Sequence, residues 1–528
     1  MTAHSNTVIN YHRRTKHSLQ QYAKSPASLD WDDQPDVFRR FTGCELKKLP
    51  KTGAERQVLF TDLAKPRAAE LVSYISVGLL LELSFGLSAW KSYGGDSWAL
   101  RCNPSSGNLH PTEAYLINTD AALLPTGVYH YQVYQHGLEQ RCVFNQPLEN
   151  QGIFIGLSSV HWREAWKYGE RAFRYCQHDI GHALGCLRYA AAILGWTVEL
   201  ITEYGDDELS TLLGVNRAAD FIANERETAD ILCRIHTGNT TPDYDLDMLI
   251  HEAQTAVWQG KAQLLNKRHL YNWQVINEVA HATEKPRTAP IQSPALIQQT
   301  STASACQKTA TQLIRQRRSA QHFNPQPTLA EQDFYRILSA TLPNQLPFDV
   351  WSLPNNIHLF IFVHRVEGLE AGLYALPRNA EKLPALQTAT SSKFEWQAVS
   401  APLPLYKLIS ANCRTAAKTL SCHQAIASDS AFSLAMVAEF SANVEAAAWH
   451  YRYLFWEAGL IGQVLYLEAE AAGVRGTGIG CYFDDSVHEV LGLTDETFQS
   501  LYHFTVGTPL DDSRLQTLPA YAHLNYPN

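Results

Sequence analysis

The sequence predicts an α+β fold made of two tandem copies of one domain, paired as a two-fold pseudo-dimer within a single chain. Three observations predict it. The segment "RYCQHDIGHALGCLRYAAAILG" from Arg174 aligns without a gap on "RYLFWEAGLIGQVLYLEAEAAG" from Arg452, 278 residues later (452 − 174). Arg174 meets Arg452, Tyr175 meets Tyr453, Gly181 meets Gly459 and Gly195 meets Gly473, while Asp179 faces Glu457 and keeps the carboxylate. The same offset continues, carrying "GDDELSTLLGVN" from Gly205 onto "FDDSVHEVLGLT" from Phe483. Shorter echoes flank this match: "GVYHY" at Gly127 with "GLYAL" at Gly372, and "HTGNTTP" at His236 with "TVGTPLD" at Thr505. Finally, helical and strand-like segments both occur, helices dominate, and no regular βαβ alternation is present. Two large copies suggest a fused dimer rather than a solenoid.

The first copy is expected over residues 1–283 and the second over 307–528. The stretch between them, 284–306, is rich in Pro, Ser, Thr and Gln, which is linker composition. A chain of 528 residues is too long for one core, and 45% apolar with 18% charged residues is the balance of a folded protein. A net charge of -9 argues against nucleic acid as a partner, since a phosphate backbone needs a basic face. The ten cysteines are scattered and none forms CxxC, which suits reduced thiols and a cytoplasmic location. The opening "MTAHSNTVINYHRRTKHS" lacks the apolar core of a secretory signal.

Taken in chain order, the first strong element is "LVSYISVGLLLELSFGLSAW" (71–90). It is long enough to span a membrane, but Glu82, four serines and two glycines make a buried helix the better reading, so no membrane partner is expected. Further helices are expected at 170–195, 208–214, 329–340, 441–473 and 486–492. Strand-like segments lie at 112–118, 127–134, 196–202, 229–236, 357–363, 371–376 and 501–507.

Three stretches carry candidate chemistry. "RCNPSSGNLHPTEAYLI" from Arg101 places Pro104, Ser105, Ser106, Gly107 and Asn108 before an apolar segment. It reads as a connecting loop, or as a loop shaped to receive a ligand, with glycine permitting close backbone approach. "IRQRRSAQHF" from Ile314 contains Arg317, Arg318 and Ser319, a solvated basic turn or a compact anion site, since guanidinium suits phosphate. "HWREAWKYGERAFRYCQHDIGH" (161–182) sets Lys167, Arg171, Arg174, His178 and His182 on one face if the helix is continuous, although Gly169 weakens that continuity. This is a solvated charged face, or an electropositive wall beside the adjacent pair Lys167-Tyr168, which can hold and move a proton. The repeat discriminates. At the 278 offset Lys167-Tyr168 becomes Glu445-Ala446, while His178 and His182 become Trp456 and Leu460, so the polar set exists only in the first copy. "HDIGH" resembles a metal-binding helix, but its acid is Asp and no third ligand is signalled, so no metal is assigned. GxGxxG, Walker and GxSxG motifs are all missing from the sequence.

These motifs together resemble the nitroreductase superfamily, and within it the SagB-type (azoline oxidase) dehydrogenases, in tandem form. "RCNPSSGNLHPTEAYLI" looks like the serine-rich flavin-contacting loop and "RRS" (317–319) like the usual phosphate-binding start. "DIGHALGCLRYAAAILG" and "EAGLIGQVLYLEAEAAGV" look like the central helix, while "DDSVHEVLGL" and "TVGTP" look like the closing helix and last strand. The resemblance implies two nitroreductase-like domains with helix-flanked, antiparallel-rich sheets, and FMN bound at the interface between them. It implies FMN contacts from Arg317, Arg318, Ser319 and Gln321 of one copy and from Pro104, Ser105, Ser106, Gly107 and Asn108 of the other. Position 321 is Gln where many relatives carry a basic residue. Azoline oxidases of the family use an adjacent Lys-Tyr pair, which maps onto Lys167-Tyr168 as the catalytic pair. The first copy has no RRS and the second has "LPNQLPFDVWSLPNN" in place of the serine loop, so a single composite site is expected. The implied function is an FMN-dependent oxidoreductase acting on an azoline ring of a modified peptide. The alternatives are a reductase of small aromatic or quinone-like acceptors, and a flavin-binding partner protein without turnover.

Overall fold

Two seven-stranded antiparallel sheets form the frame of the computed structural model, which describes residues 2–51, 56–146, 152–238, 244–291, 306–343, 345–399 and 403–524. The first sheet runs, edge to edge, Leu46–Lys48, Gly137–Val143, Gly127–Gln132, Thr112–Asn118, Ile153–Ser159, Thr228–His236 and Thr197–Ile201. The second runs Gln397–Ala398, Tyr406–Ser410, Gly372–Leu376, Ile357–Val363, Phe432–Glu439, Phe498–Gly507 and Arg475–Ile479. Six of the seven strands correspond in order and connection, down to a bulge in the sixth; the first edge strand comes from the start of its half in one sheet and from the connection after Gly372–Leu376 in the other. The bulge leaves Asp230 unpaired in the first sheet and Leu501 in the second. The fold is therefore the expected α+β arrangement of two like domains. Of the expected linker, residues 292–305 lie outside the described residues.

The central strands are apolar on both faces because both faces are covered. "IHLFIFV" (Ile357–Val363) is buried throughout, as is Phe432–Glu439. Inner faces contribute Leu116, Ile155, Leu359 and Met436 to one large core shared by both halves. Outer faces pack into two smaller cores, Tyr115, Ile117 and Phe154 with Leu212 in one half and Phe360, Phe362 and Val437 with Val487 in the other.

The shared core is built on two long helices, Ala172–Ile193 and His450–Ala471. They cross at the equivalent glycines. A Cβ on Gly181 would strike the Trp456 carbonyl, and one on Gly459 would strike the His178 carbonyl. Around this crossing, two buried ion pairs exchange partners between halves. Arg174 reaches Asp484 at 2.9 Å, and its counterpart Arg452 reaches Asp206 at 2.6 Å. Both acids open a helix, Asp484–Leu491 and Asp206–Leu213, where a negative charge complements the helix dipole.

Several elements depart from the sequence reading. The helix expected at 71–90 is Tyr74–Phe85, started by a capping box at Ser73 and stopped at Gly86, where any Cβ would meet the Glu82 carbonyl and Tyr521. Its remainder is a strand, Leu87–Tyr93, in a hairpin with Asp96–Arg101 that recruits Gln516–Leu518 from the far end of the chain. The 161–182 stretch is two helices, His161–Tyr168 and Ala172–Ile193, because Gly169 turns left-handed (φ 55). The helix expected at 441–473 breaks in the equivalent place, into Ser441–Ala446 and His450–Ala471. The last echo is two residues out of register: strand pairing sets Thr197 on His236 and Arg475 on Gly507, so His236 corresponds to Gly507, not to Thr505. Among the described residues, no helix is long and apolar enough to cross a membrane.

Candidate active site between the two halves

The serine loop connects the strands Asp96–Arg101 and Thr112–Asn118. Three of its residues adopt the left-handed conformation, Gly107 (φ 60), Asn108 (φ 61) and His110 (φ 50). Side chains of the loop hold that shape. Asn108 donates to the Ala99 carbonyl at 2.9 Å and contacts His110 Nε2 at 3.0 Å, and the His110 amide donates to Ser105 Oγ at 2.8 Å. Pro104 is buried beneath, while Gly107 is exposed at the tip. Asn108 and Ser105 thus shape the loop, and Ser106 with Gly107 present its backbone.

Lys167 and Tyr168 end the helix His161–Tyr168, and the turn at Gly169 directs both onto the loop. A Cβ on Gly107 would lie 2.6 Å from the Tyr168 hydroxyl and 3.1 Å from Lys167 Nζ. Both the backbone conformation and the space favour glycine here. Tyr168 meets Tyr175 edge-on at 4.6 Å, and Lys167 lies 5.4 Å over the Trp31 ring. Burial raises Tyr168 well above the ordinary phenol range, reinforced by Glu164, and burial lowers Lys167. At neutral pH Tyr168 is therefore a proton donor, and Lys167 is the group of the pair moved toward a base.

Two buried acids complete this cluster. Ser105 Oγ donates to Glu164 Oε1 at 3.4 Å, and the Ser106 amide to Asp179 Oδ1 at 3.4 Å. Burial raises Glu164, and the neighbouring Asp179 raises it further. Burial pushes Asp179 up to about 8. The contrast with the second copy explains Asp179. Its counterpart Glu457 is paired with Arg378, which also bonds the Thr341 and Ile357 carbonyls, whereas Asp179 faces serines. One inherited carboxylate ties down a loop in one half and remains protonatable in the other. Sequence reading aligned Asp179 and passed over Glu164, whose i, i+3 spacing to Lys167 was the available signal.

Arg317, Arg318 and Ser319 follow the helix Ala310–Gln316 and meet the first half. Arg317 is buried, donates to the Arg101 carbonyl at 3.0 Å, and lies 5.0 Å over the Tyr466 ring. Arg101 begins the serine-loop segment, so the two motifs from different halves abut. Arg318 is more committed: it donates to Ser88 Oγ at 3.3 Å and to the Arg315 and Arg317 carbonyls at 2.8 and 2.6 Å. Ser319 Oγ bonds Tyr466 at 2.8 Å, and Gln321 is exposed. The expected electropositive wall is not formed as drawn from the sequence. Arg171 and Arg174 turn away to share one buried carboxylate, Asp484, at 3.0 and 2.9 Å, while Lys167 belongs to a separate helix.

Between the two motifs, His178 stacks on Tyr502 at 4.1 Å, and His182 Nε2 contacts its hydroxyl at 3.1 Å. The edge strand Arg475–Ile479 and the residue after it place Gly476, Gly478 and Gly480 on one face, against Phe504, Tyr502 and Tyr175. The equivalent positions in the first half are Val198, Leu200 and Thr202, so only one half offers a strand face stripped of side chains. Sequence reading missed these glycines, although alternation of Gly with period two was visible.

A group of buried polar atoms in this region has no hydrogen-bond partner among the described residues: Glu164 Oε2, Asp179 Oδ2, both ring nitrogens of His178, His182 Nδ1 and Arg317 Nε. Buried polar groups are ordinarily satisfied, so such a concentration marks a place where a polar ligand or water completes the bonding. Together with the left-handed glycine and an incompletely used guanidinium, it fits a flavin mononucleotide. Arg317 and Ser319 would face its phosphate, and the Ser106-Gly107 backbone its ring. The position related by the pseudo-two-fold does not fit. There Trp456 replaces His178 and donates to Gln177 at 2.6 Å, Leu353 lines the wall, and the remaining cavity is about 20 Å³, room for about one water.

Residues 314–508 match the sequence model of the Nitroreductase family. The chain is similar in structure to a protein provisionally named a nitroreductase from Anabaena variabilis, with a TM-score of 0.70 and 23% identity over 96% of this chain and 99% of that one. At that identity the likeness establishes the fold, and it does so along nearly the whole length. Two further similarities are local. A provisionally named nitroreductase from Ralstonia eutropha is 15% identical over 41% of this chain and 99% of its own, TM-score 0.27. The E. coli microcin synthetase McbBCD complex with truncated pro-MccB17 bound contains a chain 15% identical over 45% of this chain and 94% of its own, TM-score 0.27. No curated protein matches the chain. The family model covers only part of the second half, and the structural likeness shows the fold.

Proposed function

We propose that the chain is an FMN-dependent oxidoreductase with one composite site, to which the second half contributes the phosphate contacts and the first half the loop and the acid–base groups. The observation that carries this reading is the convergence of Tyr168 Oη and Lys167 Nζ on Gly107, in a loop whose first residue is held by Arg317 of the other half. Bound FMN supplies a two-electron hydride acceptor. The chain's own residues position the substrate and handle the proton. Lys167, lowered by burial, takes a proton from the carbon next to the one that loses hydride, and Tyr168 donates a hydrogen bond to the ring heteroatom. Removal of a proton and a hydride from adjacent atoms is a dehydrogenation, and an azoline ring within a modified peptide is the substrate class this pair favours.

The test begins with flavin released by denaturation and identified by chromatography. FMN bound, together with conversion of an azoline peptide to the corresponding azole, supports the reading. Turnover only with quinones or nitroaromatics selects the reductase alternative. Bound flavin that no donor reduces and no substrate reoxidises selects the partner protein without turnover.

A further inference from the structure

Away from the loop, two thiols and an imidazole meet at the outer end of the edge strand Arg475–Ile479. Cys481 and Cys422 lie with their sulfurs in direct contact, 2.6 Å apart. Both are partly exposed, unlike six of the other eight cysteines. Cys422 follows the helix Arg414–Leu420 and, with His423, is held in the left-handed conformation (φ 53 and 60), a costly backbone state for residues with side chains. That turn brings Cys422 onto Cys481.

The third member comes from the other half. His17 Nδ1 accepts the Ala23 amide at 2.8 Å, so the proton of its neutral ring is on Nε2, and a side-chain hydrogen bond links the ring to Cys481. Burial lowers His17 and keeps it neutral at pH 7. Arg171 adds positive charge nearby, and its Nη2 donates to the carbonyl of Gly480, next to Cys481. The contact with Cys422, the His17 ring and the Arg171 charge hold Cys481 well below the ordinary thiol range, while Cys422 is pushed up. A partly exposed thiolate in an electropositive setting is a reactive one, and a protonated neighbour in contact with it is placed to resolve a mixed disulfide. Among the described residues no group of His, Cys, Asp and Glu is arranged to hold a metal ion.

We propose that Cys481 and Cys422 form a thiol–disulfide exchange site, with Cys481 the attacking and Cys422 the resolving thiol, and with a small disulfide as the oxidant. The Cys481 thiolate attacks one sulfur of the disulfide RSSR, forming a Cys481–SR mixed disulfide and releasing RS⁻. Cys422 loses its proton and attacks Cys481 Sγ, forming the intramolecular disulfide and expelling the second RS⁻. Two protein sulfurs are oxidised by two electrons in all and one RSSR is reduced to RSH and RS⁻; the Cys422 proton ends on the first, and the second takes a proton from solvent, where Cys481 left its own. The site stands on residues outside the proposed flavin contacts, so it holds or fails independently of them.

The experiment treats the full chain with glutathione disulfide, blocks remaining thiols with iodoacetamide, and maps peptides without reduction. The expected product is a Cys422–Cys481 crosslink with the other eight cysteines alkylated. Cys422→Ser, its fold checked by circular dichroism, should accumulate glutathione on Cys481, and Cys481→Ser should leave Cys422 unmodified. Before oxidation, Cys481 should be alkylated at pH 6.5 at least about tenfold faster than the single part-exposed thiols Cys44 and Cys306, because more of it is thiolate. A chain that forms no Cys422–Cys481 crosslink at any glutathione ratio overturns the proposal, as does a Cys481 that reacts no faster than Cys44.

Discussion

Tyr168 and Asp179 are the residues whose chemistry depends most on their surroundings. Tyr168 sets its hydroxyl against the loop, and its ring packs on Tyr175. Tyr168→Phe should keep the flavin and the melting temperature while turnover falls about 10²- to 10⁴-fold, the usual worth of acid–base assistance. Steady-state kinetics beside a thermal melt separates this from a folding defect. Asp179 gives a pH signature. Its folded value is raised to about 8, so the folded state binds the extra proton and the unfolded state does not. Its penalty is absent in acid below the ordinary Asp range, grows as pH rises, and is complete above about 8. Asp179→Asn keeps an acceptor for the Ser106 amide and removes the charge. Its melting temperature relative to wild type should therefore rise more at pH 8.5 than at pH 5, and an equal change at both pH values would show that Asp179 is already ionised. The Lys167-Tyr168 pair and the serine loop were legible in the sequence because each is a local cluster, and the repeat showed them in one copy only. Glu164 was not, because an acid on an amphipathic helix reads as solvated until tertiary packing buries it.

At the scale of elements, legibility followed the reach of the forces involved. Strands Thr112–Asn118 and Ile357–Val363 were found within a residue because their patterns are local and strongly apolar. Strand Leu87–Tyr93 was read as helix because it continues an apolar run, and its pairing with Gln516–Leu518 is fixed more than 400 residues away. Strand Arg475–Ile479 was missed because glycine is poor in strands, and the glycines serve its neighbours rather than the strand itself. The crossing of the long helices gives the sharpest prediction at this scale. Gly459→Val forces bulk between two backbones and should destabilise the chain by at least about 3 kcal/mol, the upper range for overpacking, measured by urea denaturation. Arg452→Met leaves Asp206 buried without its partner, 2.6 Å away in the intact chain. It should cost about 3–5 kcal/mol, and a loss under 1 kcal/mol would mean that the crossed ion pairs contribute little.

The whole molecule is a two-fold arrangement whose two equivalent positions have diverged: one carries His178, His182 and the serine loop, the other Trp456 and Leu353 beside the Arg452 ion pairs. The crossed pairs Arg174–Asp484 and Arg452–Asp206 preserve the symmetry, and the replacements of His178 by Trp456, Gly478 by Leu200 and Asn108 by Leu353 break it at the sites. Fusion permits this division, since separate identical subunits would carry both changes at both positions. In the proposed composite site the phosphate contacts come from one half and the loop from the other, so variants from both halves should act on one flavin. Arg317→Ala should weaken FMN binding by about 1.5–3 kcal/mol, the usual loss for a charge-assisted hydrogen bond, and Asn108→Ala should weaken binding of that same flavin by releasing the loop. The most direct measurement is an equilibrium titration of the purified chain with FMN, reading the number bound per chain. The account predicts one FMN per chain with a single affinity, lowered by Arg317→Ala and by Asn108→Ala alike; two FMN per chain, or one whose affinity responds to substitutions in only one half, would contradict it.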